Sequence, residues 1–279
     1  VLYWNARHDW ISFAYQIGHC APERAWSAKR FFTAQAVQII TYGPLLYAFG
    51  LVALVAALRS RAPGERLLLA LALPVLALFA WSGGYKITLP HWPALGWLAL
   101  APLVARWLAR HWRARAVRLG VGLSAGYALA LIGAIHLLIL LPLNPFPPGR
   151  HPLGDLHGWR ASAKQAEALR AQMAATPGPE PVLYVGNWSI FSHVAWYARP
   201  TPVRVTDTRF DQSDLWYGSP QAGDRGIVVV PEYYWQKPAT AGFGKFAHCA
   251  KPRLVEARIG GVVASRYRLY ACEGYRGPQ

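Results

Sequence analysis

The chain has 279 residues, 54% of them hydrophobic, with 29 Lys and Arg against 13 Asp and Glu. That apolar share is high for a globular protein and is unevenly spread: residues 36–143 are mostly Leu, Ala, Val and Ile, while 150–279 have an ordinary soluble mixture. A single soluble core is excluded, and two units in different solvents are expected. The net charge of +16 invites a nucleic-acid reading. However, eight basic residues (Arg59, Arg61, Arg66, Arg106, Arg110, Arg113, Arg115 and Arg118) lie in two short stretches between apolar runs, and from Arg150 onward the balance is only 16 basic to 10 acidic. Charge placed this way marks cytoplasmic loops, and it argues against nucleic acid as a partner.

Residues 1–35 open on Val1 and show neither a charged n-region nor a small-residue cleavage site, so they are not read as a signal peptide. The expectation is an extracytoplasmic interfacial segment in the C-terminal part of a longer protein. Four transmembrane helices are then expected over residues 36–143. The first, Ala36–Leu58, has 23 uncharged residues, enough to cross about 30 Å of hydrocarbon, with a kink at Pro44. A basic turn, 59–66, leads into Leu67–Trp81 and Pro93–Leu108, two short runs that form either a full hairpin, the preferred reading because basic segments flank it on both sides, or a shallower re-entrant pair, with Arg106 snorkelling to the interface. Leu119–Leu143 is the fourth and clearest. If 59–66 and 106–118 are cytoplasmic, residues 1–35, the 83–92 loop and everything after Leu143 lie on the other face. That face still has Arg24, Lys29, Arg30, Lys86 and Arg150 near span ends.

A Pro-rich linker, 144–157, stops the last span. Beyond it, 158–279 reads as a small extracytoplasmic α/β domain. Helices are expected at Gly158–Ala175 and at Asn187–Tyr197 with Asn187 as N-cap; strands are expected at Val182–Val185, Val203–Thr206, Gly226–Val230, Arg253–Ala257 and Val262–Tyr270. Cys249 and Cys272, 23 apart, are a disulfide if the domain is in an oxidising compartment and two reduced core thiols otherwise. Cys20 has no evident partner.

Three segments carry possible chemistry. Tyr3-Trp-Asn-Ala-Arg-His-Asp-Trp-Ile-Ser-Phe-Ala-Tyr-Gln16 mixes aromatic and polar residues as a membrane–water interface demands. It is either an anchoring helix or a wall on which Asn5, His8, Asp9 and Gln16 line a polar cavity. Gly83-Gly-Tyr-Lys-Ile-Thr-Leu-Pro-His-Trp-Pro93 places Lys86 and His91 between two spans, with Trp92 beside them. Cations there suit a phosphate or pyrophosphate headgroup; the plainer reading is snorkelling and an aromatic belt. Asp207, Asp211 and Asp214 could bind a divalent cation, but their spacing matches no standard calcium loop, so a solvated loop with an aromatic anchor is preferred. Ser192-His193 lacks the glycines of a nucleophile elbow. His136 within the last span reads as a buried hydrogen-bonding group. No metal site and no cofactor motif is expected.

The Tyr3–Gln16 segment, together with Lys86 and Pro90-His-Trp-Pro-Ala94, resembles the bacterial branch of the dolichyl-phosphate-mannose–protein mannosyltransferases, glycosyltransferase family 39, whose relatives include the lipid A aminoarabinose transferases. Gly158-Trp-Arg160 and Gln212-Ser-Asp-Leu-Trp216 resemble the tail of such proteins less specifically. The resemblance implies a GT-C fold in the plasma membrane, a polyprenyl-phosphate-linked sugar as donor, and transfer with inversion to a lipid, glycan or protein acceptor on the extracytoplasmic face. It also implies a catalytic carboxylate in a first extracytoplasmic loop upstream. Neither Asp9 nor Glu23 matches that loop, so the catalytic base stays unassigned. By the same resemblance Lys86 and His91 face the lipid phosphate. Two competitors are kept: a membrane-anchored extracytoplasmic carbohydrate- or lipid-binding protein without catalysis, which has no need of Lys86 and His91 between spans, and a transporter of lipid-linked sugars, which would place paired charges or broken helices near the midplane, where the sequence offers His136.

Overall fold

The computed structural model describes residues 1–20, 25–86, 88–141, 153–232, 246–259 and 261–277. The Pro-rich segment from 144 to 152, Glu23, Arg24 and Arg150 lie outside the described residues. The chain divides into two compact units, 1–134 and 135–279.

The first unit is helical: α1 (Leu2–Ala6), α2 (Ile11–Cys20), α3 (Ala28–Tyr42), α4 (Pro44–Leu58), α5 (Pro63–Ser82), α6 (Ala94–Arg110) and α7 (Arg115–Leu140), which crosses the boundary between the units. Two of these helices, α5 and α7, are long and apolar enough to cross a membrane; a third crossing is counted if α3 and α4 form one broken span. The expected four spans are corrected accordingly. The run at 36–58 is no continuous helix, since α3 and α4 meet at 107°. The cause is local. Proline disfavours helical backbone in the residue before it, and Gly43 turns the corner at φ +87°. Pro44 also has no N–H for the carbonyl of Ile40, and the Tyr127 hydroxyl of α7 donates to that carbonyl instead, at 2.5 Å. At 17 residues, α6 is about 25 Å long and falls just short of the hydrocarbon thickness.

Helices α5 and α6 pack against each other, and of the two only α5 is long and apolar enough for a crossing. Leu69 and Ala72 pack against Leu100 and Leu103, with Ala57 of α4 completing the cluster. Gly96 lets α6 approach Leu76 and the Ala72 carbonyl, where a Cβ would clash. Arg106 is not simply snorkelled: its guanidinium lies 2.7 Å from Glu65, which is almost fully buried. The outer surfaces of α5 and α7 stay apolar, with Leu67, Leu71, Leu78, Leu119, Leu123 and Leu129 all exposed. Helices apolar on every side belong in a large protein core or a membrane, and the unit is compatible with a membrane protein.

The second unit is α/β, with a six-stranded mixed sheet built from β1 (Val182–Val185), β2 (Val203–Val205), β3 (Gly226–Pro231), β4 (Phe246–Cys249), β5 (Arg253–Ile259) and β6 (Val262–Tyr275). The order is β2-β1-β3-β6-β4, with β5 also paired to β6; β1 is parallel to β2 and β3, and all pairs with β6 are antiparallel. Side chains alternate across the sheet. Leu183, Val185, Ile227 and Val229 pack with α8 (Trp159–Ala174) and α9 (Trp188–Tyr197), while Val182, Tyr184, Val228 and Cys272 face the other way toward Phe246 and Tyr270. Opposite positions on β4 and β6 place Cys249 and Cys272 with Cα atoms 4.0 Å apart, and they are disulfide-bonded.

Two elements were not expected: β4, and α10 (Gln212–Tyr217) in a stretch read as a loop. The Gly158-Trp-Arg160 motif has a structural role here. Gly158, at φ +89°, approaches Ala257, Ser265 and Tyr267 more closely than a Cβ allows. The preceding His157 carbonyl accepts from the Ser265 hydroxyl at 2.7 Å and the Tyr267 hydroxyl at 2.5 Å. Trp159 then enters the core, stacked on His193 and edge-on to Tyr267.

Candidate functional site

The 83–93 connection between α5 and α6 is a chain of tight turns bound to the start of α3. The Gly84 carbonyl accepts from the Ser27 N–H at 2.9 Å and from Arg30 Nε at 3.0 Å. Arg30 also donates to the Ala25 carbonyl. Trp26 stacks on Trp81 with ring centroids 5.3 Å apart and donates its indole N–H to the Trp81 carbonyl at 3.2 Å. Gly84 lies beneath that indole, where a side chain has no room. At the other end of the loop, the Tyr42 hydroxyl donates to the Pro90 carbonyl at 2.9 Å. Trp92 is half-buried against Phe79, His91 is exposed, and Lys86 is half-buried with its own N–H donated to the Ser82 carbonyl. Cations from α3 (Arg30) and from the loop (Lys86) therefore belong to one aromatic-collared turn.

Tyr42 also lines an apolar cleft of about 270 Å³ between α3, α4 and α6, with Tyr47, Trp97, Gly50, Val104 and Leu108 among its other walls. Trp97 packs on both tyrosines, at 5.5 and 4.8 Å between centroids, and its buried indole nitrogen has no hydrogen-bond partner among the described residues. Through Tyr42 the cationic loop and the apolar cleft are adjoining parts of one structure.

Asn5, His8 and Gln16 do not line this cleft. Asn5 is 1% exposed and holds the α1–α2 corner together: its amide donates to the Val1 carbonyl at 3.1 Å and its Oδ1 accepts from the Ser12 N–H at 3.1 Å. His8 stacks on Trp4, with Nδ1 2.8 Å from the Trp4 carbonyl oxygen. Asp9 and Trp10 take positive φ at the same corner, and Gln16 is exposed. Asn5 and His8 are thus brought together by the corner itself, whereas the loop carrying Lys86, His91 and Trp92 is tied by its hydrogen bonds to residues 25–42. Arg30 and Trp26 went unrecognised as loop partners, because 54 and 55 residues separate them from Gly84 and Trp81 and no local pattern signals the contact.

In the second unit the three aspartates turn inward. Asp211 caps α10 by accepting from the Ser213 N–H at 2.9 Å, and Asp214 accepts from the Asp211 N–H at 3.0 Å and from Ser219 at 2.6 Å. Asp207 accepts from the Arg209 N–H at 3.1 Å, and burial pushes its carboxyl above the usual carboxylate range. The signal for α10 was present as a capping box. Among the described residues no three His, Cys, Asp or Glu side chains are grouped as a metal site. Asn187 caps α9 as expected, accepting from the N–H groups of Ser189 and Ile190; Ser192 donates to the Ser189 carbonyl, and His193 lies on Trp159. No family model, no curated protein and no solved structure matches the chain.

Proposed function

We propose that this chain is the C-terminal part of an integral-membrane glycosyltransferase that takes a sugar from a polyprenyl-phosphate donor on the extracytoplasmic face of the plasma membrane. The observation that carries the reading is the junction at Tyr42. Its hydroxyl holds the cation-bearing 83–93 loop, and its ring lines the apolar cleft. A polar, cationic end joined to an apolar slot is the shape of a site for an amphiphile with an anionic head. An anchoring hairpin needs neither part. In this role Lys86 and Arg30 face the phosphate, His91 stands at the mouth, and Trp92 fixes the loop at the interface. A sugar on a lipid phosphate already has a stabilised leaving group, so cations that steady the departing phosphate are a large part of the catalysis. The acceptor's proton is removed by a base that these residues do not supply. The sidedness follows the basic segments at 59–66 and 106–118 and agrees with the Cys249–Cys272 bond, which favours an oxidising compartment.

The test is Lys86→Ala in the full-length enzyme. A charge-assisted hydrogen bond to phosphate contributes roughly 1.5–3 kcal/mol, so turnover of a polyprenyl-phosphate sugar should fall about ten- to a hundredfold. Lys86→Arg should keep part of the rate, with membrane insertion unchanged in both. Full turnover in Lys86→Ala removes the donor-site role.

A further inference from the structure

The helical face of the second unit presents four large aromatic side chains to solvent: Trp188 at 53%, Trp196 at 61%, Phe210 at 54% and Trp216 at 64% exposure. They lie on α9, on α10 and on the segment that precedes α10. Trp216 adjoins Phe191 of α9, and the Arg209 guanidinium sits over the Trp188 ring at 5.4 Å, which joins the 207–211 segment to α9. On the same helix face as Trp188, two turns on, Arg199 covers Trp196 at 4.3 Å. The nearest carboxylates do not cancel this charge evenly: Asp214 is turned inward to cap α10, and Asp211, largely buried, both caps α10 and reaches Arg209 at 3.5 Å. A soluble surface seldom exposes so much aromatic area in one place without a partner.

We infer that this face rests on the membrane surface, its tryptophans in the interfacial layer and Arg199 and Arg209 on anionic lipid headgroups. Three features favour lipid over a protein partner. Trp beside Arg is the pairing that a boundary with one apolar and one charged side selects. The arginines complement a negative leaflet and not a neutral one. The domain is also tethered: the 12 residues between Leu140, at the end of a helix apolar enough to cross a membrane, and Leu153 span at most about 45 Å when fully extended. A tethered surface meets its bilayer at high effective concentration, so a modest interfacial affinity suffices. This docking face is independent of glycosyl transfer.

The experiment uses the full chain with Cys20→Ser, leaving Cys249 and Cys272 bonded, and a single spin label at Trp196→Cys, Trp216→Cys or, as reference, Arg253→Cys on the far strand β5. In vesicles of phosphatidylcholine with phosphatidylglycerol, labels at 196 and 216 should be more accessible to oxygen than to a water-soluble nickel chelate, and the label at 253 should show the reverse. The charge reversals Arg199→Glu and Arg209→Glu, introduced with the label at 216, should move that label toward water. Pure phosphatidylcholine should do the same without any substitution. Labels at 196 and 216 that are as aqueous as the one at 253 overturn the proposal. So do labels shielded from both reagents in detergent micelles, which would mean that protein covers the face. Depth unaffected by charge reversal overturns the headgroup role. Arg199 is exposed, so Arg199→Glu carries that arm without local unfolding; Arg209→Glu also breaks the pair with Asp211 and is read only where the variant's denaturation midpoint is unchanged.

Discussion

Replacing Gly84 by alanine tests whether the 83–93 loop is held as described. The new Cβ would lie 2.0 Å from the indole nitrogen of Trp26 and 2.4 and 2.5 Å from two of its ring carbons. Those distances are more than 1 Å inside ordinary contact, and the indole is rigid, so Trp26 must slide off the loop. Its hydrogen bond to the Trp81 carbonyl and its stack on Trp81 go with it. Overpacking of this kind costs about 1–3 kcal/mol and the hydrogen bond about 0.5–1.5 kcal/mol. The hydrogen bond is solvent-exposed, so its share belongs at the low end, and a total of about 2–3 kcal/mol is expected. The effect is local, because the same Gly84 carbonyl receives Ser27 and Arg30. Amide hydrogen exchange at residues 84–86, in the full chain in detergent, reads it directly. A loss of that size accelerates exchange roughly 30- to 150-fold where protection comes from loop docking. Gly64→Ala is the control of opposite sign. Nothing lies within 4 Å of its Cβ position and the residue is helical, so it should gain up to about 1 kcal/mol of helix propensity and leave loop exchange unchanged. Unaltered exchange at 84–86 in Gly84→Ala would refute the docking of this loop on Trp26.

The Cys249–Cys272 bond closes a loop with a sequence separation of 23, so chain-entropy reasoning assigns it about 3 kcal/mol. Reduction should lower the unfolding free energy of the second unit by that amount, read as a fall in its denaturation midpoint, and a midpoint that ignores reductant would show that the bond contributes little. Burial raises the Asp207 carboxyl above its ordinary value, with Asp211 and Asp214 adding to the shift. The folded state therefore keeps a proton that the unfolded chain has released, and this residue's contribution to stability falls as pH rises from about 4 through the native pKa. Asp207→Asn keeps the acceptor for the Arg209 N–H and should remove that part of the slope in a pH series of denaturation midpoints. An identical slope in parent and variant would contradict the burial account.

Features that depend on neighbours in the chain were legible in the sequence. The strand β1, the capped helix α9, the pair of α5 and α6, and the division between an apolar half and a mixed half all follow from runs and caps a few residues long. The unexpected elements have equally definite causes. At 36–58, composition alone reads as a span, but a Gly-Pro pair outweighs hydropathy because backbone geometry acts before solvent does. Tyr127 then supplies from α7 the donor that Pro44 withholds. The strand β4 is short and exposed, and pairing with the last residues of β6 defines it. Of the two readings of Asn5–Gln16, an anchor or a cavity wall, the contacts of Asn5 itself are structural: its two polar atoms are used to turn the chain.

The two ends of the α5–α6 pair treat one arginine each differently. At the 59–66 and 106–118 end Arg106 meets the Glu65 carboxylate 2.7 Å away, one ion pair in a strongly basic region. At the loop end Arg30 donates to the carbonyls of Gly84 and Ala25. Neutral acceptors orient a guanidinium without discharging it, and among the described residues no carboxylate pairs with Arg30; an anion from outside would lower the energy of holding that cation near hydrocarbon. Helix pairs tied by matched charges are sufficient for anchoring. On the proposed reading, a cation oriented by backbone is kept for a ligand that brings a negative head. The direction of charge at the two ends then makes a sharper claim than net charge does: Glu65→Gln should weaken the hairpin without touching turnover per folded molecule, and Lys86→Ala should do the reverse.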